Sequence, residues 1–176
     1  MRLALRRRHR SAAGAGYRRT KPPSPATPWR RARFSVVDLE TTGLDPRRDE
    51  IISFASVPVE GGRVAVGDAR MVIVRPRRMP AAATIRIHGL RPADLASAPT
   101  LLDALELIVE SLTGRVVVAH SAWVERGFLG AALRRVGLRL VEPVLDTARL
   151  AGRVLNAGND GAQQSLELSD LSLIHI

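Results

Sequence analysis

The 176-residue chain contains no cysteine, a single lysine and few aromatic residues (3%). Without thiols it can hold no disulfide framework, no thiolate zinc site and no cysteine nucleophile, so any chemistry must run on oxygen or imidazole. Carboxylates and the four histidines become the candidates. No apolar run approaches the roughly 20 residues of a membrane helix. The charged stretch Met1 to Arg10 leaves no room for the apolar centre of a signal peptide. A cytoplasmic protein with no membrane partner is expected. The scarcity of aromatics also argues against a binder that stacks the bases of a single strand.

What is present suffices for one domain: 45% of residues are apolar and 25% charged. The net charge of +10 is unevenly placed, because residues 1–33 hold ten Arg plus Lys21 and no acid. The remaining residues hold sixteen basic and seventeen acidic groups, so the body is near −1. A segment so rich in Arg, Pro, Ser, Gly and Ala is expected to be a disordered tail, since it has little apolar surface to offset its ordering entropy. It reads as a solvated extension or an over-long translation start, or else as a phosphate-binding arm. A transit peptide is the third reading, which the linker-like Lys21-Pro22-Pro23-Ser24-Pro25 disfavours.

From Phe34 the pattern becomes alternating and β-branched. Phe34 to Glu40 and Ile51 to Val59 read as strands, Gly61-Gly62 as a hairpin turn, and Arg63 to Val74 as a third strand. Thr100 to Asp103 reads as a helix start, with apolar residues at helical spacing until Gly114. Arg115 to Ala119 is a short apolar run suited to a central parallel strand. Helices follow over about Ser121 to Val136 and Asp146 to Leu155, the latter capped by Asp146 or Thr147, and Ser165 to Leu168 looks like a further helix start. The order predicts an α/β domain with a mixed sheet.

The stretch that carries chemistry is Asp38-Leu39-Glu40-Thr41-Thr42-Gly43-Leu44-Asp45. In a strand Asp38 and Glu40 share one face while Val37 and Leu39 enter the core. Two adjacent carboxylates repel unless a cation neutralises them, and hard oxygen donors at this spacing suit Mg²⁺ or Mn²⁺. Alternatively, the pair is a solvated strand end. Thr41, Thr42 and Gly43 add hydroxyls and a flexible turn suited to a phosphate or sugar.

Phe34 to Pro46 with Asp49 to Ser53 resembles the first motif of the DEDD-type 3′-to-5′ exonucleases, a family that includes the proofreading epsilon subunit of bacterial DNA polymerase III. The resemblance continues through Ile87-His88-Gly89-Leu90, Asp94-Leu95, Ala98-Pro99, Val118-Ala119-His120, Phe128-Leu129 and Asp146 to Leu150, covering residues 34–170. It implies an RNase H-like fold, with three meandering strands and then a parallel strand in a mixed sheet flanked by helices. It also implies hydrolysis at the 3′ end of DNA or RNA by two divalent metals (Mg²⁺ or Mn²⁺) about 4 Å apart. Asp38 and Glu40 match the first two catalytic ligands. By the same likeness Thr41, Thr42, Gly43 and Leu44 would hold the terminal nucleotide, with Leu44 wedged against its base, and His88 would lie near the substrate or order its own loop. DNA polymerase III subunits are the implied protein partners.

Two departures bear on activity. The family's second motif places Asp where this chain has Glu125, in Ala119-His120-Ser121-Ala122-Trp123-Val124-Glu125. The extra methylene adds about an ångström of reach to a metal ligand, a misfit for near-octahedral Mg²⁺. Glu125 as a solvated first-turn acid favoured by the helix dipole is the alternative, and His120 reads as structural. The third motif, H-x-x-x-x-D, which supplies the general base and the last ligand, is absent, and Asp170 and His175 stand in the reverse order. Leu171 to Ile176 back-translates to a transposon library adapter, so a truncated domain and a nearly inactive chain are expected. The rival reading is a degenerate exonuclease domain that only binds nucleic acid or a polymerase partner. A module of a longer repair protein is a third. Nothing in the chain reads a base sequence, so specificity is expected for a 3′ end.

Overall fold

The computed structural model describes residues 12–156. The chain enters as helix α1 (Ala12–Arg19) and then forms β1 (Arg33–Thr41), β2 (Ile51–Glu60), β3 (Arg63–Val64), a 3₁₀ turn (Val66–Asp68) and β4 (Arg70–Ile73). Helices α2 (Ala82–His88), α3 (Pro92–Ala96) and α4 (Leu101–Leu112) lead to β5 (Val116–Ala119), α5 (Trp123–Arg134), β6 (Val144–Asp146) and α6 (Thr147–Asn156). The strands make one sheet in the order β3-β2-β1-β5-β6, with β4 also paired to β2. β1 is central, antiparallel to β2 and parallel to β5, which is itself parallel to β6. This is the mixed α/β sheet that the sequence predicts.

Strand alternation divides β1 into two faces. Ser35, Val37 and Leu39 are buried, while Val36 and Asp38 are exposed and Glu40 is half-buried. The buried face packs with Phe54, Ile108, Leu112, Phe128, Leu129 and Leu133 into the main core. α4 begins with a reciprocal cap: Asp103 N–H donates to Thr100 Oγ1 (3.4 Å), and Thr100 N–H donates to Asp103 Oδ2 (3.2 Å). Gly61 and Gly62, both at positive φ (59° and 76°), make the tight turn between β2 and β3 that few other residues could.

Two expectations need correction. The segment expected to be disordered is described from residue 12 onward and folds onto the body: α1 packs against α4, and Tyr17 is only 2% exposed. The Tyr17 hydroxyl donates to the carbonyl of Arg139 (2.9 Å) and bonds to the Glu142 carboxylate. One buried aromatic with a satisfied hydroxyl anchors a segment whose average composition reads as unfolded. Residues 1–11, and with them five of the ten arginines of the start, lie outside the described residues. Secondly, the third strand is broken, because Val66-Gly67-Asp68 turns as 3₁₀ and leaves β3 and β4 as separate partners of β2. Asp146, an expected cap, closes the three-residue strand β6 and also caps α6, its Oδ1 accepting from Ala148 N–H (3.0 Å). The expected helix start at Ser165 and the adapter-like segment 171–176 also fall outside the described residues. Among the described residues, no helix is long and apolar enough to cross a membrane.

Candidate active site

Asp38 and Glu40 project from the open face of β1, opposite Ala55 and Ser53 of β2. The β1–β2 register shifts between Glu40 and Thr41, so a bulge re-aims the chain as it leaves the carboxylates. The loop beyond is held by Asp49. Its Oδ2 accepts from Asp45 N–H (2.9 Å) and its Oδ1 from the Thr42 hydroxyl (3.2 Å), while Thr42 Oγ1 accepts from Glu50 N–H (3.0 Å). A Cβ on Gly43 would lie 2.5 Å from Asp49 Oδ2, so only glycine fits this turn as built. Thr41 is buried and donates its hydroxyl to the Gly43 carbonyl (2.7 Å), whereas Leu44 stands 65% exposed at the tip. The two threonine hydroxyls therefore shape the loop, and the free element is Leu44.

Opposite β1, the first turn of α5 carries Glu125, which is 5% exposed and so is not the solvated acid considered above. Burial pushes its carboxyl up; a hydrogen bond from its own backbone N–H works against this, and the charges of Asp38 and Asp146 add to it, for a result of about 7. Its Oε2 is buried with no hydrogen-bond partner among the described residues. Glu40 is raised too, by burial and then by Asp38, with His88 opposing. Asp38 thus lies within electrostatic reach of both Glu40 and Glu125, Asp146 within reach of Glu125, and His88 within reach of Glu40.

His88 ends α2, and its Nδ1 accepts from Leu90 N–H (3.0 Å) while its Nε2 is buried and unpartnered among the described residues. It both orders its loop and offers a free ring nitrogen near Glu40. His120 bridges to the Thr147 hydroxyl (3.1 Å) and sits in the framework.

Sequence reasoning assigned Asp146 only a capping role toward the following helix. In the fold it accepts from Ser121 N–H and Ala122 N–H (both 3.1 Å) as well as from Ala148 N–H (3.0 Å), so it fixes the turn that launches α5. Ser121 adopts φ +54° in that turn, a non-glycine residue in a strained region beside the carboxylates. Asp49, quoted in the first motif without a role, is the second residue missed. The signal available for Asp49 was an acid following a Thr-Thr-Gly turn; the hold of Asp146 on a turn 24 residues away had none.

Among the described residues, no group of three or more His, Asp or Glu is assembled to hold a metal ion by itself. The chemistry of the donors nonetheless fits a hard divalent cation: oxygen groups of like charge, and one buried carboxylate oxygen that nothing else satisfies.

A family model described as an exonuclease (RNase_T) matches residues 35–170. A DNA polymerase III subunit epsilon-like protein of Rhodobacter capsulatus is 34% identical over 141 residues, covering 80% of this chain and 20% of that protein. The DNA polymerase III PolC-type of Thermotoga maritima is 33% identical over 125 residues, covering 70% of this chain and 9% of that protein. The chain thus spans a fifth or less of these relatives. Among solved structures, a complex of E. coli ExoI with single-stranded DNA superposes with a TM-score of 0.66 at 14% identity, covering 74% of this chain and 31% of that one. Exonuclease X in complex with 5′ overhanging duplex DNA gives 0.58 at 23% identity, covering 81% and 75%. The fold is therefore the RNase H-like fold of exonucleases, and the chain belongs to the RNase_T exonuclease family.

Proposed function

We propose that this domain hydrolyses the terminal phosphodiester bond at the 3′ end of a nucleic acid, DNA being favoured by the names of its relatives. The observation that carries the reading is the buried, unpartnered Glu125 oxygen set among the charges of Asp38 and Asp146. Such an arrangement is expensive for stability and finds its use in holding a cation. Asp38, Glu40 and Glu125 would hold Mg²⁺ or Mn²⁺, with Asp146 bracing the turn that presents Glu125. Divalent cations bound there would supply activation of a water and stabilisation of the leaving oxygen.

The chain's own residues do the positioning. The loop of Thr41, Thr42 and Gly43, stiffened by Asp49, receives the terminal nucleotide, and the exposed Leu44 packs against its base. His88, whose charge acts on Glu40, is assigned a place near the terminal nucleotide. Residues 1–176 contain no H-x-x-x-x-D. The reading accordingly assigns this chain no general base, and slow cleavage is expected of it. DNA polymerase III subunits are the proposed partners.

The test is digestion of a 5′-fluorescent oligonucleotide at high enzyme concentration with Mn²⁺. Slow shortening from the unlabelled 3′ end, lost in Asp38→Ala and in chelator, supports the reading. Loss of label from the 5′ end, or digestion unchanged in Asp38→Ala, overturns it. The longer Glu125 side chain favours a second reading, a domain that binds 3′ ends without cutting them. Tight binding of the oligonucleotide with no Mn²⁺-dependent product would select it.

A further inference from the structure

Trp123 opens α5, and it stands 57% exposed in a chain that has only two tryptophans. Tryptophan is highly buried on average, and where it meets water it is enriched in binding surfaces. The turn beneath it is fixed: the Asp146 carboxylate accepts from Ser121 N–H and Ala122 N–H, and Ser121 is held at φ +54°. Glu125, two positions on, leaves the helix inward, whereas Trp123 leaves it outward. Helical side chains lean toward the N-terminus, so the indole covers the turn before α5 instead of the body of the helix. That is the turn that presents Glu125.

A second contact puts the indole beside the loop of Thr41 to Asp49. Gly127 follows Trp123 by four residues, so the two share one face of α5. Pro46 rests on Gly127, where a Cβ would come within 2.7 Å of Pro46 Cγ. The loop therefore meets α5 one helical turn, about 5.4 Å, from Trp123. Leu44, two residues before Pro46, is the other large apolar side chain exposed at this end of the site. Arg126, three residues after Trp123, is exposed on the adjoining helix surface.

From this placement we infer that Trp123 is a substrate-binding residue whose ring stacks on the base of the nucleotide preceding the terminal one, and that it thereby selects an unpaired 3′ end. The inference rests on the hydrolytic reading for the position of the terminal nucleotide against Leu44. A base offers the indole a flat π face, and the phosphate beside that base meets the Arg126 guanidinium. An apolar peptide would use the ring and leave the charge unmatched. A penultimate base within a duplex is stacked on both of its neighbours and has no free face to give. One ring serves one base, which agrees with the scarcity of aromatics in the rest of the chain.

The experiment uses the whole chain in Mn²⁺ with a 5′-fluorescent thymidine octamer whose 3′-terminal linkage is a phosphorothioate, and a second octamer that lacks the penultimate base. Anisotropy of the label gives the affinities. Unlabelled octamer added to Trp29→Phe, which leaves Trp123 as the single indole, should quench its fluorescence, and a blunt hairpin should not. Trp29 packs at the β2–β3 turn, where a Cβ on Gly62 would touch its ring. Trp123→Ala should weaken binding about tenfold, and Trp123→Phe much less. Removing the penultimate base should cost the native chain the same factor and the Ala variant almost nothing. The abasic octamer is read on the native ring, so the test holds even where Trp123→Ala unsettles the fold. No binding, no quenching, equal quenching by the hairpin, equal affinity in Trp123→Ala, or an abasic penalty undiminished in that variant would each overturn the inference. Binding and quenching with no cleavage of an unmodified octamer would instead overturn the hydrolytic reading and leave the stacking in place.

Discussion

Replacing Glu125 by Gln should make the metal-free protein more stable at pH 8, an unusual outcome for a buried residue. Burial first, and then Asp38 and Asp146 against a backbone hydrogen bond, move its carboxyl from an ordinary 4.5 to about 7 in the fold. The native chain therefore keeps its proton between about pH 4.5 and 7 while the unfolded chain has lost it. Over that window the native state binds more protons, so stability falls as pH rises and levels off above about 7. At about 1.36 kcal/mol per pH unit the loss reaches about 3 kcal/mol. The amide removes the charge at nearly equal volume and forfeits about 1 kcal/mol for its own imperfect hydrogen bonding. A net gain of about 2 kcal/mol is left, or about 4–8 °C in melting temperature for a chain of this length. Thermal and urea unfolding of both proteins in chelator, from pH 5 to 8, measures it. Parallel pH profiles, or a Gln variant less stable at pH 8, would refute the electrostatic argument.

Two further outcomes follow from the packing. Gly43→Ala should destabilise by about 1–2 kcal/mol, because the new methyl displaces the Asp49 carboxylate from Asp45 N–H; in an Asp49→Ala background urea unfolding should show almost no added loss, and an undiminished one sinks the clash. Tyr17→Phe should cost about 2 kcal/mol by stripping the buried Glu142 of its hydroxyl partner, and a chain lacking residues 1–33 should unfold at lower urea still; a deletion as stable as the whole chain would restore the loose-tail expectation.

The parts legible in the sequence are those with a long period. β1 alternates, β2 opens on a fully buried run, α4 and α5 repeat at helical spacing, and β5 is a continuous apolar run, so their existence follows from one residue after another. β6 and α3 run to three and five residues, too short for any period to register. α1 was hidden because its one large buried side chain, Tyr17, finds its hydrogen-bond partners more than 120 residues away. At the site, Asp38, Glu40 and Glu125 came from the family resemblance, and in the fold the Asp38 charge acts on each of the two glutamates. The function of Asp146 lies in backbone N–H groups of a distant turn, which no local pattern encodes. The burial of Glu125 is likewise a property of how α5 packs beside β1, and it turns a surface-looking acid into the most perturbed carboxylate of the site.

The central claim is that Asp38, Glu40 and Glu125 together hold a divalent cation. Mn²⁺ titration followed by electron paramagnetic resonance tests it without requiring turnover. Saturable binding that is weakened in Asp38→Ala and in Glu125→Gln but unchanged in Arg134→Gln is the result this account predicts. No binding by the native chain, or binding indifferent to both carboxylate substitutions, would contradict it.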